Sequence, residues 1–344
     1  MVSMDSLREM LKGKPAREKT PVGMNIGGST VKMAKLRIQQ DRVELCGYSV
    51  EQTQLDLEDL LRKTAHTHEI NSVNISVSGQ QAIIRYIDFP KMSLAELKQA
   101  LKFEAQKFIP FPVTEVSLDA CILKEDLPDN KMRVLLAAVK KDLLEQRLKL
   151  LAAAGLSVNI VDIDSLALVN AFNHSYADEE SMKNKSVALL NIGSATSNLN
   201  IIEGRLPSLS RDLSIGGNHL TQRIADVFAL DFKSAEELKV GADGEKREKI
   251  VAAIEPVVTK LAKEARSSFD YYESRSVASV EKIYLSGGGS MYAGLKESLA
   301  AIVGIEVDTW DPLRRIVLAE GIDPEKVKAV SSQLAVAIGL ALRQ

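Results

Sequence analysis

Short apolar runs open the folded part of the chain at residues 22–26, 31–38 and 43–50, divided by Gly27-Gly28 and by Gln39-Gln40-Asp41. Runs of this length bounded by turn residues predict strands, here three in an antiparallel meander. Residues 55–66 read as a helix. Residues 73–78 and 83–87 read as strands, the first ending at Gly79 and the second running into Asp88-Phe89-Pro90. Ser93 and Glu96 have capping-box spacing: the hydroxyl accepts the third N–H, and the carboxylate reaches back to the cap. The helix they start carries Leu94, Leu97, Leu101, Ala105 and Phe108 at helical spacing. It stops before Pro110, and Pro112 bars its resumption. Strands follow at 116–123 and 134–139, then a helix at 141–154 closed by Gly155, then a strand at 158–163. The block 91–160 therefore predicts an inserted small domain. Asp164 or Ser165 is placed to cap a helix through Phe172, and residues 174–186 form a polar linker.

The second half repeats the opening. Strand signals run from 187 to 202, turn at Glu203-Gly204 and resume at 207–213. Gly216-Gly217 precedes a helix at 219–228, with His219 as an opening or capping residue. Ser234 caps a short helix that ends in the turn 241–244. A long helix at 246–273 contains Pro256, which predicts a kink or a split. A strand at 282–286 enters Gly287-Gly288-Gly289-Ser290; a helix at 291–303, a brief strand at 306–307 and a small-residue helix at 334–341 complete the chain.

Asn-Ile-Gly occurs twice, at 25–27 and 191–193, each time after an apolar strand and before hydroxyl residues. Such turns expose backbone N–H groups and can hold an anion. Asn25, Gly27, Gly28 and Ser29 form the first candidate phosphate loop, with Thr30 and Lys32 beside it. Asn191, Gly193, Ser194 and Thr196 form the second. Two related turns followed by a bare triple glycine predict a phosphate cleft between two lobes. Gly287, Gly288, Gly289 and Ser290 lie between a strand and a helix, where a glycine turn lets a flat ring or ribose approach the peptide plane.

Totals narrow the function classes. The chain has 344 residues, 45% apolar and 26% charged, with a formal charge of −2. That balance gives no support to nucleic acid as the main partner. Two cysteines, Cys46 and Cys121, form no disulfide framework and read as buried small hydrophobes, consistent with a reducing compartment. His66 and His68 lack partners for a metal site. Glu264 and Arg266 on the long helix read as surface ion-pair residues. No apolar run is long enough for a transmembrane helix. Residues 1–20 read as a polar flexible lead-in, with a short amphipathic helix over 3–11 as the sharper alternative.

Taken together, these segments resemble the actin/Hsp70/sugar-kinase superfamily and, more closely, the type IV pilus assembly protein PilM family, relatives of the division protein FtsA. The resemblance covers residues 21–342. It rests on Met24-Asn25-Ile26-Gly27-Gly28-Ser29, Leu190-Asn191-Ile192-Gly193-Ser194-Ala195-Thr196, Gly216-Gly217-Asn218-His219-Leu220-Thr221, Ala235-Glu236-Glu237-Leu238-Lys239 and Leu285-Ser286-Gly287-Gly288-Gly289-Ser290. Phe103-Glu104-Ala105-Gln106-Lys107-Phe108-Ile109-Pro110-Phe111-Pro112 resembles the family's small subdomain, and residues 333–341 its closing helix. The resemblance implies an α/β, actin-like, ribonuclease H-like duplicated fold. The first lobe would hold 21–90, 161–185 and 331–344, with 91–160 as the inserted small subdomain. The second lobe would hold 186–222 and 281–330, with 223–280 as its helical subdomain. It implies ATP or ADP between the lobes, with Gly216, Gly217, Glu236 and Lys239 near the nucleotide. It further implies a cytoplasmic protein bound to the N-terminal tail of a PilN-like inner-membrane protein, in contact with pilus alignment and motor components and open to self-association.

One departure is sharp. The family's phosphate loops usually begin with Asp, and here both begin with Asn. An amide offers a neutral oxygen where hydrated Mg²⁺ wants a carboxylate. The expectation is nucleotide binding with weakened metal and little or no hydrolysis. An active ATPase or kinase and an FtsA-like filament protein are the alternatives. The first wants a cleft carboxylate. The second is expected to carry a C-terminal amphipathic helix, and none is expected after Ala341-Leu342-Arg343.

Overall fold

The computed structural model describes residues 19–40, 42–53, 56–241, 244–292 and 294–343. The N-terminal helix considered for residues 3–11 lies outside them. The first half runs β1 (Val22–Ile26), β2 (Thr30–Gln39), β3 (Arg42–Gln52), α1 (Leu57–Thr67), β4 (Ser72–Val77), β5 (Ala82–Pro90), α2 (Leu94–Glu104), β6 (Val116–Leu127), β7 (Lys131–Lys140), α3 (Lys141–Ala153), β8 (Ser157–Ile163) and α4 (Asp164–Ser175). The second runs β9 (Ser186–Ile192), β10 (Ser197–Glu203), β11 (Leu206–Leu213), α5 (Gly217–Phe228), α6 (Phe232–Gly241), α7 (Gly244–Glu273), β12 (Lys282–Ser286), α8 (Leu295–Val303), β13 (Glu306–Thr309), β14 (Val317–Leu318), α9 (Pro324–Val330) and α10 (Ala335–Ala341).

The strands form three sheets with orders β14-β3-β2-β1-β4-β8, β11-β10-β9-β12-β13 and β5-β7-β6. In the first, β1, β2 and β3 are the expected antiparallel meander, and β4 joins β1 in parallel. In the second, β9, β10 and β11 repeat that meander, and β12 joins β9 in parallel. The two large sheets are thus copies of one plan. Two memberships differ from the sequence expectation. β5, expected in the first lobe, pairs with β7 in the three-stranded sheet. β8, expected in the inserted block, pairs with β4 in the first large sheet. Strand character is written locally, but a strand's partner is not.

β9 explains the layering. Val187 and Leu189 face a core shared with α4, α10, Leu36 and Leu45, while Ala188, Leu190 and Ile192 face a second core with Ile224, Ile254, Phe269 and Leu299. A strand covered on both faces reads as a continuous apolar run, which is what 187–190 shows. A third core lies on the other face of the first sheet, where Met24 and Met33 meet Leu61 and Leu151. Each such fully buried side chain contributes about 1.5–3 kcal/mol of transfer free energy.

Helix α10 (AVAIGLA) is buried along its whole length. Its small residues let backbones meet. A Cβ on Gly339 would stand 1.8 Å from the Ala167 carbonyl oxygen of α4, and one on Gly23 would stand 1.9 Å from the Ala337 carbonyl oxygen.

In the small sheet, Leu97 and Leu101 of α2 cover Val134, Leu136 and Ala138. The predicted capping box is present: Ser93 Oγ accepts from the Glu96 N–H at 3.3 Å, and the Ser93 N–H donates to Glu96 Oε2 at 2.8 Å. Helix α7 runs through Pro256 unsplit, and Arg223 Nε donates to the Ala253 carbonyl at 3.2 Å, one turn before the proline.

Three local expectations are corrected. The Asp231 carboxylate, not Ser234, accepts at the start of α6, taking the Ser234 N–H at 2.9 Å. A 3₁₀ turn occupies Gly288–Met291, so α8 begins only at Leu295. Cys121 is exposed and Cys46 half-buried, because both sit on strands with a solvent side. Glu264 and Arg266 are surface ion-pair residues as expected, Glu264 with Arg211 and Arg266 with Asp270 and Glu273.

Candidate functional site

The two Asn-Ile-Gly segments form the same turn. The Gly27 N–H donates to the Thr30 carbonyl at 3.0 Å, and the Gly193 N–H donates to the Thr196 carbonyl at 3.0 Å. Each turn joins the first two strands of its sheet. The turns face each other: a Cβ on Gly28 would lie 3.4 Å from Ser194 Oγ. The first turn is pinned from just beyond β3, where the Thr53 N–H donates to the Ser29 carbonyl at 2.9 Å and Thr53 Oγ1 donates to the Gly28 carbonyl at 3.3 Å. Gly28, Ser29 and Thr196 are exposed at the cleft.

Asn25 and Asn191 do different work. Asn25 is buried, and its Nδ2 donates to Asp164 Oδ1 at 3.2 Å, with Ser76 Oγ at 3.5 Å. The Asn191 Oδ1 accepts from Ser286 Oγ at 3.2 Å. Asp164 is the cleft carboxylate that sequence reasoning read only as a helix cap. It caps nothing: Ile163 precedes the helix, and the Asp164 carboxylate also takes hydrogen bonds from Ser76 and Ser78. Burial pushes its pKa up, Asp212 pushes the same way, and the two hydroxyls and the Lys32 ammonium offset part of the rise. Lys32 lies over the first turn, where a Cβ on Gly27 would come 2.9 Å from its Nζ. Burial lowers the Lys32 pKa, against the pull of Asp164.

The remaining candidates divide into those at the cleft and those that build it. The Gly217 N–H donates to the Gly193 carbonyl at 2.8 Å, and the Asn218 N–H to the Ser194 carbonyl at 2.7 Å. The start of α5 is therefore spent on holding the second turn. Gly216 is a steric need there, since a Cβ would fall 2.6 Å from the Ser194 carbonyl oxygen, and its N–H donates to His219 Nδ1 at 3.1 Å. Gly287 adopts φ +88°, and a Cβ would meet the Ile192 carbonyl oxygen at 2.5 Å. A Cβ on Gly289 would meet the Ile192 side chain, 2.4 Å from its Cγ2. Ser290 turns inward, donating to the Gly287 carbonyl at 2.7 Å beside Ser332 Oγ. Gly288 alone of these four is exposed. Glu236 and Lys239 pair at 2.7 Å and share Thr221, with Lys239 Nζ 3.9 Å from a Cβ on Gly217.

Beneath the cleft runs a polar chain, buried at Asn198, Asn200 and Ser165. Tyr86 on β5 donates to Ser210 Oγ at 2.8 Å, Ser210 to Asn200 Oδ1 at 2.7 Å, and Asn200 to Asn198 Oδ1 at 2.6 Å. Asn198 Nδ2 reaches Ser165 Oγ of α4 at 2.8 Å and Asp212 Oδ1 at 2.6 Å, and Asp212 Oδ2 accepts the Gly79 N–H at 3.0 Å. Burial pushes the Tyr86 phenol well above its usual value.

Bare glycines and hydroxyls at two facing turns suit a phosphate-bearing ligand. A divalent cation is poorly served there. Among the described residues, no group of three or more His, Cys, Asp or Glu side chains could hold a metal ion. Both loop heads are amides, and the Asp164 carboxylate is engaged by an amide and faced by an ammonium.

The model of the family described as type IV pilus assembly protein PilM matches residues 23–344. The chain belongs to the PilM family. Among solved structures, this PilM family member is similar to a chain of the "PilM-PilN type IV pilus biogenesis complex", with 27% identity, 95% of this chain and 99% of that one covered, and a TM-score of 0.84. It is also similar to the ethanolamine utilization protein EutJ of Carboxydothermus hydrogenoformans (14%, 96% and 92% covered, TM-score 0.58). MreB5 of Spiroplasma citri matches at 11%, with 95% of each chain covered and a TM-score of 0.50. The fold is accordingly the α/β actin-like fold. Among the described residues, no helix is long and apolar enough to cross a membrane.

Proposed function

We propose that this PilM family protein is a cytoplasmic adaptor that clasps the N-terminal tail of a PilN-like inner-membrane protein, with an adenine nucleotide as a structural ligand of the cleft and little or no hydrolysis. The likeness across nearly the full length to a chain from a PilM–PilN complex carries this reading. The place proposed for the tail is the groove between the first large sheet and the three-stranded sheet. β8 and β6 are edge strands of those sheets. An edge strand offers unpaired backbone groups to an extended peptide. Charge is at hand there: Asp162 on β8 lies 3.5 Å from Arg343, and both act electrostatically on Cys121 of β6. Nucleotide is proposed for the cleft because its two turns leave glycines and hydroxyls facing each other. Hydrolysis is not favoured because the donor set serves a divalent cation poorly.

Titrating the purified protein with a synthetic peptide of the PilN-like tail, with and without ATP and Mg²⁺, tests the adaptor reading. Saturable binding in at least one state is expected. Absence of binding in every state overturns it.

A further inference from the structure

Resting on the nucleotide half of that reading, we infer that the cleft takes a nucleotide polyphosphate without a divalent cation, Lys32 standing in for the metal as counter-charge and Asn25 holding the cleft carboxylate in place of a metal ligand.

The charge count of the corner carries this. With Asp at both loop heads, Asp164 would make a third carboxylate, and a polyphosphate could enter only with a cation to separate the like charges. Here the two heads are neutral. Around Asp164 the remaining charges are the Asp212 carboxylate, taken up by Asn198 and the Gly79 N–H, against the Lys32 ammonium and the Arg147 guanidinium, so the signs balance. Asn25 Nδ2 donates to Asp164 at 3.2 Å, so the carboxylate is satisfied from within the protein. Ser76 and Ser78 complete its shell. A metal arriving at Asp164 would have to displace an amide and two hydroxyls and face Lys32. A phosphate meets the opposite situation. Lys32 lies against Gly27, whose missing side chain leaves the ammonium 2.9 Å from the Cβ position, above the turn where an anion would rest. A lysine is a compact point charge well suited to phosphate. The exposed Gly28 and Ser29 extend this wall, and the Ser194 hydroxyl of the second turn faces it.

Isothermal titration with ADP and with ATP, once in EDTA and once in excess Mg²⁺, tests the inference on the full chain. The expected result is binding in EDTA with affinity within about threefold of that in Mg²⁺, a difference far smaller than the tenfold-per-1.4 kcal/mol scale of a lost charged contact. Lys32→Met should weaken binding by roughly tenfold or more in both buffers, and Lys32→Arg should recover part of it. Asn25→Asp should bind worse in EDTA than in Mg²⁺, introducing the metal dependence the parent lacks. Wild-type binding that requires Mg²⁺ overturns the inference, as does Lys32→Met binding like wild type, or no nucleotide binding in either buffer. Tail-peptide binding is read separately. Its persistence when nucleotide binding fails removes this inference and leaves the adaptor reading standing.

Discussion

Replacing Gly339 by alanine sets helix propensity against close packing. In a helix interior the change alone gains about 1 kcal/mol. The new Cβ, however, would stand 1.8 Å from the Ala167 carbonyl oxygen, 2.5 Å from its carbon and 3.2 Å from its Cα. Reaching ordinary van der Waals contact requires α4 and α10 to part by roughly 1.5 Å. On the far side, α10 already touches β1, where Gly23 leaves 1.9 Å between its Cβ position and the Ala337 oxygen. The helix has nowhere to retreat. Leu168, Ala171, Ile338 and Leu340, all fully buried, would lose contacts as the seam opens. A radial gap of even 0.5–1 Å forfeits about a quarter to a half of each contact's attraction. Overpacking of a side chain costs about 1–3 kcal/mol, and backbone contact belongs at or above the upper end. The expected net effect is therefore destabilisation by about 2–4 kcal/mol after the propensity gain is subtracted. Urea denaturation followed by circular dichroism reads it as a midpoint lowered by about 1 M, for a slope of about 3 kcal/mol per molar. A midpoint that stays put or rises would show that the seam accommodates a methyl group and would refute the reasoning.

Asp164 is held up by burial, so the folded protein keeps its proton to higher pH than the unfolded chain. Stability should fall as pH rises from the ordinary carboxylate value of about 3.9 through the folded value, and Asp164→Asn should flatten that slope in a pH series of denaturation curves; an unchanged slope counts against the assignment. Ser93→Ala should cost about 1 kcal/mol and speed amide exchange in the first turn of α2, with no change elsewhere. Tyr86→Phe should cost about 1–2 kcal/mol, since it strips a buried hydroxyl from Ser210; equal thermal midpoints would mean the chain of hydrogen bonds adds nothing there.

Much of the fold was legible because its signals are local. The meander repeats as runs and turns, the capping box needs only four residues, and the duplicated glycine turns make the same hydrogen bond in both lobes. What escaped is long-range. Asp164 lies 139 residues from Asn25, at a strand–helix junction whose local pattern matches a cap. Ser290 follows three glycines, yet its hydroxyl closes its own turn and meets Ser332, far along the chain. Gly216 and Gly217 read as ligand-facing, but the second turn uses their neighbourhood as a brace. At α6 two cap-type residues stand three apart, and the upstream one accepts because the helix begins earlier than its apolar pattern.

The small three-stranded sheet has divided loyalties. Along the chain it is an outgrowth of the first lobe, entered after Gly79 and left through β7 and α3. Through Tyr86 it is moored to Ser210 and Asn200 of the second. Parting the lobes would pull Gly79 from Asp212 and Ser165 from Asn198, and would then force the sheet either to travel with the second lobe or to give up the Tyr86–Ser210 hydrogen bond. The stance of this sheet is therefore a gauge of how far the lobes stand apart, moored at one edge, β5, while β6 forms the other.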